Sequence, residues 1–282
     1  VSTLATFFTS QPSVQLRRNP SFYFWYDGVW LVAIVAAVAA LWWSGWPGLI
    51  QAWEPWHFAL IPVAMYLHVL ANVFVHNICH GNLPRPINRI VGEILGLVVF
   101  TRYASWEVLH QRHHRYSDDP EKDPHPVHPS FWVFLHRVMT VNLEKQLQNE
   151  FFDNHGDTPD SHRRENIRSV LSFSVMFPLA AFWYLLLGPW AFFGIYLPAS
   201  VFGWLVVAHF NWATHNANDP SHDYHPVNLD HGLYWIGNRI WFGLYMHGNH
   251  HKRANVFNPL KMDQVLAKRA AKRAAREQRP AA

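Results

Sequence analysis

No Asp, Glu, Lys or Arg occurs between Ser169 and Asn218, and the same holds from Gly28 to Trp53 and from Trp56 to Val75. A helix needs roughly 20 apolar residues to cross a hydrocarbon core about 30 Å thick. The first run is long enough for two crossings and each of the others for one. The predicted spans are 29–46, 56–75, 169–187 and 190–210, the last two joined by a tight turn at Gly188 and Pro189. Composition agrees: half of the 282 residues are hydrophobic, 15 are Trp, and 15% are charged, against about 25% in soluble domains. The expected fold is an all-α integral membrane protein with four transmembrane helices, residues 1–260 forming one domain and 261–282 a basic C-terminal tail.

Loop charge gives the orientation. The connections between spans one and two and between spans three and four contain no Lys or Arg, so all 23 basic residues fall at the N-terminus, between spans two and three, or after span four. By the positive-inside rule these regions are cytoplasmic, which puts both termini inside, in a multi-pass protein expected in a bacterial inner membrane. Topology therefore explains the net charge of +4, and nothing resembles a nucleic-acid-binding module. The tail from Lys261 to Arg279, with Lys268, Arg269, Lys272, Arg273 and Arg276, reads as a helix lying near anionic membrane lipid; docking of an acidic redox partner is the alternative. Cys79 is the single cysteine, which excludes an intrachain disulfide and a CxxC pair. The first 20 residues carry Arg17 and Arg18 without an apolar core run before them, so no cleavable signal peptide is expected; Leu4, Phe7, Phe8 and Leu16 are placed at the membrane interface.

Nine histidines sit at the edges of the uncharged segments: His76 and His80 in HNICH, His110, His113 and His114 in HQRHH, His215 in NWATH, and His247, His250 and His251 in HGNHH. Residues three and four apart share a helix face, and neutral imidazole is the commonest protein ligand for borderline transition metals. HxxxH aims two rings one way; HxxHH offers three donors from one turn. One ion takes four to six ligands, so nine donors indicate two metals close together. Spans two and four are parallel rulers of similar length that deliver His76 and His80, and Asn211 and His215, to one depth. The second cluster follows an amphipathic stretch from Ile87 to Phe100 and the third an aromatic stretch from Gly232 to Met246; both are expected in the interface. Two HxxHH clusters would place several polar rings where desolvation is costly unless something binds them.

Other candidates are weighed against plainer roles. Asn211 is expected to orient a metal-bound water or to be a weak ligand. Glu107 forms an ExxH pair with His110, whose only echo, Glu54 with His57, lies across the membrane, so Glu107 is expected to support the ligands from behind. His125 and His231 are expected in the same supporting role. Asp118, Asp119, Glu121 and Asp123 either accept the free ring N–H groups of ligands or form an ordinary acidic loop. His68 reads as a hydrogen-bonded interior residue, His209 lies near the exit of span four, and His57 lies on the outer side. His128, His136, His155, His162, His222 and His225 read as ordinary loop residues. Trp106, Trp235 and Trp241 are either tunnel walls or aromatic-belt anchors.

HNICHGN, HQRHHRYSDDPEKDPH, NWATHN and HGNHH, in this order and between these spans, resemble the histidine boxes of the membrane fatty acid desaturase and hydroxylase superfamily. The HHRYSD…DPH extension and the NxxxH element are similar to the stearoyl-CoA desaturase branch. The HxxxH spacing of the first box is similar to acyl-lipid desaturases and hydroxylases, leaving acyl-lipid, acyl-CoA and acyl-carrier substrates open. The resemblance, covering about residues 30 to 258, implies a cytosolic helical cap holding two iron ions, with the nine histidines as ligands and Asn211 holding a water on one iron. It also implies O2 as co-substrate and a double bond introduced into a fatty acyl chain, or an alcohol where the same site acts as a hydroxylase. Zinc has no redox role, whereas an unactivated methylene requires an oxidising metal. No dinucleotide-binding turn, iron–sulfur cysteine set or haem domain is present, so an external ferredoxin, rubredoxin or b-type cytochrome with its reductase is expected to supply electrons. A membrane cytochrome or a metal transporter is disfavoured: the spans lack paired histidines for haem and polar residues through the midplane.

Overall fold

The computed structural model describes residues 10–84, 86–215 and 225–277; the readings made for Leu4, Phe7, Phe8, His222 and the end of the tail lie outside them. The chain is helical throughout, with no strand among the described residues and one isolated bridge between Asn228 and Met246. Three segments are apolar and long enough to cross a membrane: Phe22–Trp43, Pro55–Ile78 and Pro159–Thr214.

A short helix α1 (Pro12–Arg18) precedes α2 (Phe22–Trp43). Most of α2 faces outward: Val32 is 70% exposed and Trp43 83%. A helix this apolar all round is stable only in an apolar medium. It begins earlier than the uncharged run suggested, because Asp27 is paired inside the fold with Arg102 and accepts from Ser172 Oγ at 3.0 Å. A 3₁₀ turn (Pro55–Ala59) leads into α3 (Leu60–Ile78). Glu54 and His57 close the turn reciprocally, Glu54 N–H donating to His57 Nδ1 at 2.8 Å.

The 56-residue segment is a helical hairpin rather than one rod. Gly188 adopts φ 78° and ψ 162°, outside the helical region, and Trp183 and Tyr196 stack with centroids 5.0 Å apart. On a continuous helix thirteen residues would separate them by about 20 Å. The first arm, α8 (Pro159–Ala191), starts well before residue 169 and is capped by Thr158, whose Oγ1 accepts from Ser161 N–H. The second passes through a π turn (Phe192–Tyr196) into α9 (Leu197–Thr214). α8 lies along α2 and α9 along α3, the latter pair close enough that a Cβ on Gly203 would come within 3.1 Å of His68 Cβ.

Between the hairpins lie α4 (Ile87–Val98), α5 (Tyr103–Arg115), α6 (Phe131–His136), a π turn (Arg137–Asn142) and α7 (Leu143–His155). After α9 come α10 (Gly232–Ile240), α11 (His247–Lys252) and the exposed, Ala-rich α12 (Met262–Glu277). α4 is inverted: Arg89 and Glu93 are buried as a 2.5 Å pair, Tyr26 donates to Glu93 at 2.6 Å, and Ile87, Ile90 and Ile94 are exposed. α10 likewise exposes Leu233, Trp235 and Ile236. Both behave as helices lying along an apolar boundary.

The hairpin turn yields a test. A Cβ on Gly48 would sit 2.5 Å from Gly188 Cα and at φ +86°, whereas one on Gly45, at φ +65°, meets nothing. Left-handed strain alone costs about 1–2 kcal/mol, so Gly48→Ala is expected to lower the thermal midpoint in detergent clearly more than Gly45→Ala. Equal midpoints would contradict the packed turn.

Candidate metal centre

Four stretches bring the histidines together. His76 lies in the last turn of α3, and His80 follows four residues later, directly after Cys79, which caps the helix. α5 presents His110, His113 and His114; α9 ends at His215; α11 carries His247, His250 and His251. Two four-membered groups result, His80, His110, His114 and His250 in one and His113, His215, His247 and His251 in the other, each with donor nitrogens within 4.8 Å of one another. His76 lies between them, its ring 4.3 Å from His110, 4.4 Å from His250 and 5.6 Å from His247.

The nitrogens face inward. Nε2 of His80 and His110 are 2.8 Å apart, those of His114 and His250 3.1 Å, and those of His247 and His251 3.1 Å. Two nitrogens about 2.1 Å from one ion and at right angles are about 3 Å apart, which fits convergence on shared ions. Three rings are held from behind through Nδ1: His113 by Asp123 at 2.8 Å, His215 by Asp118 at 2.8 Å and His76 by the Asn77 amide oxygen at 3.0 Å. Their Nε2 atoms are buried without a partner. A buried unpaired polar atom costs about 1–3 kcal/mol, and an Nδ1–H donor leaves Nε2 as a free lone pair. The donor set thus fits two borderline metal ions.

Electrostatics keep the lone pairs available. Burial, reinforced by neighbouring rings, holds His110, His114, His247, His250 and His251 below the usual imidazole range and lowers His80 to about 3. Burial also opposes charge on His113, but the Asp123 carboxylate outweighs it and raises that ring, while Asp123, although desolvated, is lowered to about 2 by His113. Asp123 also accepts N–H from Asp118 at 2.6 Å and His125 at 2.7 Å, fixing the loop behind the site.

The remaining candidates divide. Asn211 is buried, donates to Val207 O at 3.1 Å, and lines a cavity of about 310 Å³ beside the cluster. His125 lines the same cavity with Nδ1 unpartnered, 5.2 Å from the His113 ring, and burial lowers it to about 3. Trp106 is a cavity wall, but Trp235 and Trp241 are not among its lining residues; Trp235 is exposed and carries Arg239 over its face at 4.2 Å. Glu107 does not stand behind a ligand: its oxygens accept from Ser13 N–H at 2.8 Å and Ser13 Oγ at 2.9 Å, clamping the first turn of α1, and burial raises it to about 7. His231 is exposed at the start of α10, against Tyr234 at 5.3 Å. Asp119 caps its own loop, accepting N–H from Glu121 and Lys122. His68 accepts or donates at Ser200 Oγ, 2.9 Å away, as an interior residue does. The role of Asn77 was not read from the sequence; it also donates to Phe257 O at 2.8 Å, tying α3 to the segment after α11.

The model of the fatty acid desaturase family matches residues 51–257, a stretch that includes all nine histidines. The chain belongs to this family. It matches no curated protein and no solved structure. Fatty acid desaturases are oxidoreductases of fatty acyl chains, di-iron dependent in general and supplied by an electron donor, and the apolar helices make this member a membrane protein.

Asp118→Ala and Asp123→Ala are each expected to weaken iron binding about 10–100-fold, measured by competition with a chelator on the purified protein. Unchanged affinity in both would show that these carboxylates do not orient ligands.

Proposed function

We propose that the protein is an O2-dependent di-iron fatty acyl desaturase, with the nine histidines as the iron ligands. Support comes chiefly from one observation: a mostly apolar cavity of about 310 Å³ abuts the cluster and shares Asn211, Trp106 and His125 with its surroundings. An acyl chain seated there would lie against Trp106 and His125, whose rings are 5.9 Å from His110 and 5.2 Å from His113. Iron held by the nine rings would bind and reduce dioxygen and so supply the oxidising power toward an unactivated methylene that no side chain possesses.

The chain's own residues do the rest. Asp118, Asp123 and Asn77 fix ring orientation. Val75, Leu109, Phe134 and Val138 give the cavity an apolar wall that would keep water from the reacting chain. Asn211 and His125 line the cavity on the side of the cluster, and Asn211 would position a water near one ion. The chain crosses the membrane four times, through α2, α3 and the two hairpin arms, with both termini and the metal centre on the cytoplasmic side, where its basic residues lie. The apolar spans and this charge pattern suit a bacterial inner membrane. Electrons come from an external ferredoxin, rubredoxin or b-type cytochrome.

Lipid profiling of a host expressing the chain is expected to show acyl chains lacking two hydrogens, absent when His113→Ala or His250→Ala is expressed at equal level in the membrane. Acyl chains that gain one oxygen instead would assign the site to hydroxylation, and unchanged profiles from wild type would remove the reading.

A further inference from the structure

The cavity is bounded differently on its two sides. The hairpin arms α8 and α9 are joined at Gly188 and meet around the turn, but scarcely touch along the rest of their length, because α8 follows α2 and α9 follows α3. The cavity opens into this gap, with Met176 on the α8 side and Trp204 and Val207 on the α9 side. Trp204 lines the cavity and is also 42% exposed, on a helix face it shares with exposed Val201. A side chain that belongs both to the cavity and to a lipid-facing helix surface marks a mouth onto the bilayer.

Toward the cytoplasm the gap is closed. α6, the π turn and α7 form an arch beneath it, with Phe134 and Val138 buried against the cavity. The arch is pinned at both ends. Near α6, Trp212 Nε1 of α9 donates to His128 O at 2.8 Å and Phe131 contacts the Trp212 ring at 5.6 Å. At α7, Glu144 pairs with Arg168 of α8, whose buried guanidinium also holds Glu165 at 2.9 Å. Trp132 and Val141 of the arch are exposed. Opening downward would part Glu144 from the buried Arg168 and release Trp212 from His128 O. The bulky side chain on the sideways route is Trp204, which is already partly exposed.

We propose that the alkyl chain enters the cavity sideways from the bilayer, between α8 and α9, so that the substrate is a lipid resident in the membrane rather than a thioester on a soluble carrier. The proposal rests on the cavity being the acyl site. A chain threaded through this mouth never leaves an apolar medium, whereas one delivered from water must first pass the pinned arch.

The test uses the full iron-loaded chain in phosphatidylcholine vesicles and a mid-chain diazirine carried by phosphatidylcholine, by free fatty acid in the bilayer, or by acyl-CoA added to the aqueous phase, with adducts mapped by mass spectrometry. Either bilayer probe is expected to label Met176, Trp204 and Val207 at the mouth and Trp106 inside, and the stronger of the two identifies the lipid source. Val207→Trp is expected to reduce labelling at Trp106 about tenfold while lipid-facing Val32 stays labelled; Trp204→Ala is expected to raise it. Labelling of Trp106 by acyl-CoA that matches or exceeds the bilayer probes, or labelling indifferent to both substitutions, would overturn the proposal. In parallel vesicles given O2 and reduced ferredoxin with its reductase, labelling from the bilayer with no oxidised product keeps the lateral route and removes the desaturase reading; oxidised product with labelling only from acyl-CoA does the reverse.

Discussion

The structure depends on burying imidazole nitrogens that have no protein partner. Nε2 of His76, His113 and His215 is enclosed without a hydrogen bond, and six further Nε2 or neighbouring ring atoms converge at hydrogen-bond distances on each other. Such an arrangement costs free energy in the absence of an ion and becomes favourable when lone pairs are donated to one. The rest of the fold supplies rigid supports. α3 and α9 end at one level, α5 is held against α1 by Glu107 and Ser13, and the acidic loop behind α5 turns two carboxylates toward the rings.

The membrane architecture serves the same end. Equal apolar rulers set the depth of the first and third donor groups, and the boundary helices α4 and α10 bring the second and fourth to that level. The outward Ile residues of α4 and the buried Arg89–Glu93 pair show why a charged segment can still lie against lipid: its charges are paired inside and its apolar face is outside. Beside the cluster, the splay between hairpin arms leaves room for the mostly apolar cavity, the space proposed for the acyl chain.

Much of this was legible in the residues. The grouping of nine histidines, the turn at Gly188 and the boundary character of 87–100 and 232–246 follow from spacing and from runs without charge. What escaped were contacts between distant segments. Asp27 closes the uncharged run in the sequence yet lies inside α2, because its partner, Arg102, is 75 residues away. Glu107 looked like a supporting carboxylate because it shares a helix face with His110, yet its partner is Ser13, on a helix that periodicity does not link to α5. His231 shares only sequence proximity with the third cluster. Asp118 and Asp123 could not be distinguished from Asp119 and Glu121 by composition, since the backbone turn with Asp118 at φ 66° decides which carboxylates point inward. The cavity is assembled from several helices, and no single segment carries its signature.

The claim that two redox-active ions are gripped by one set of imidazoles is tested most directly by metal analysis joined to Mössbauer spectroscopy of protein loaded anaerobically with iron-57. Two irons per chain in nitrogen-rich environments are expected, both lost when His113 and His250 are replaced together. A single bound metal per chain, or iron retained in full by that double variant, would contradict the account.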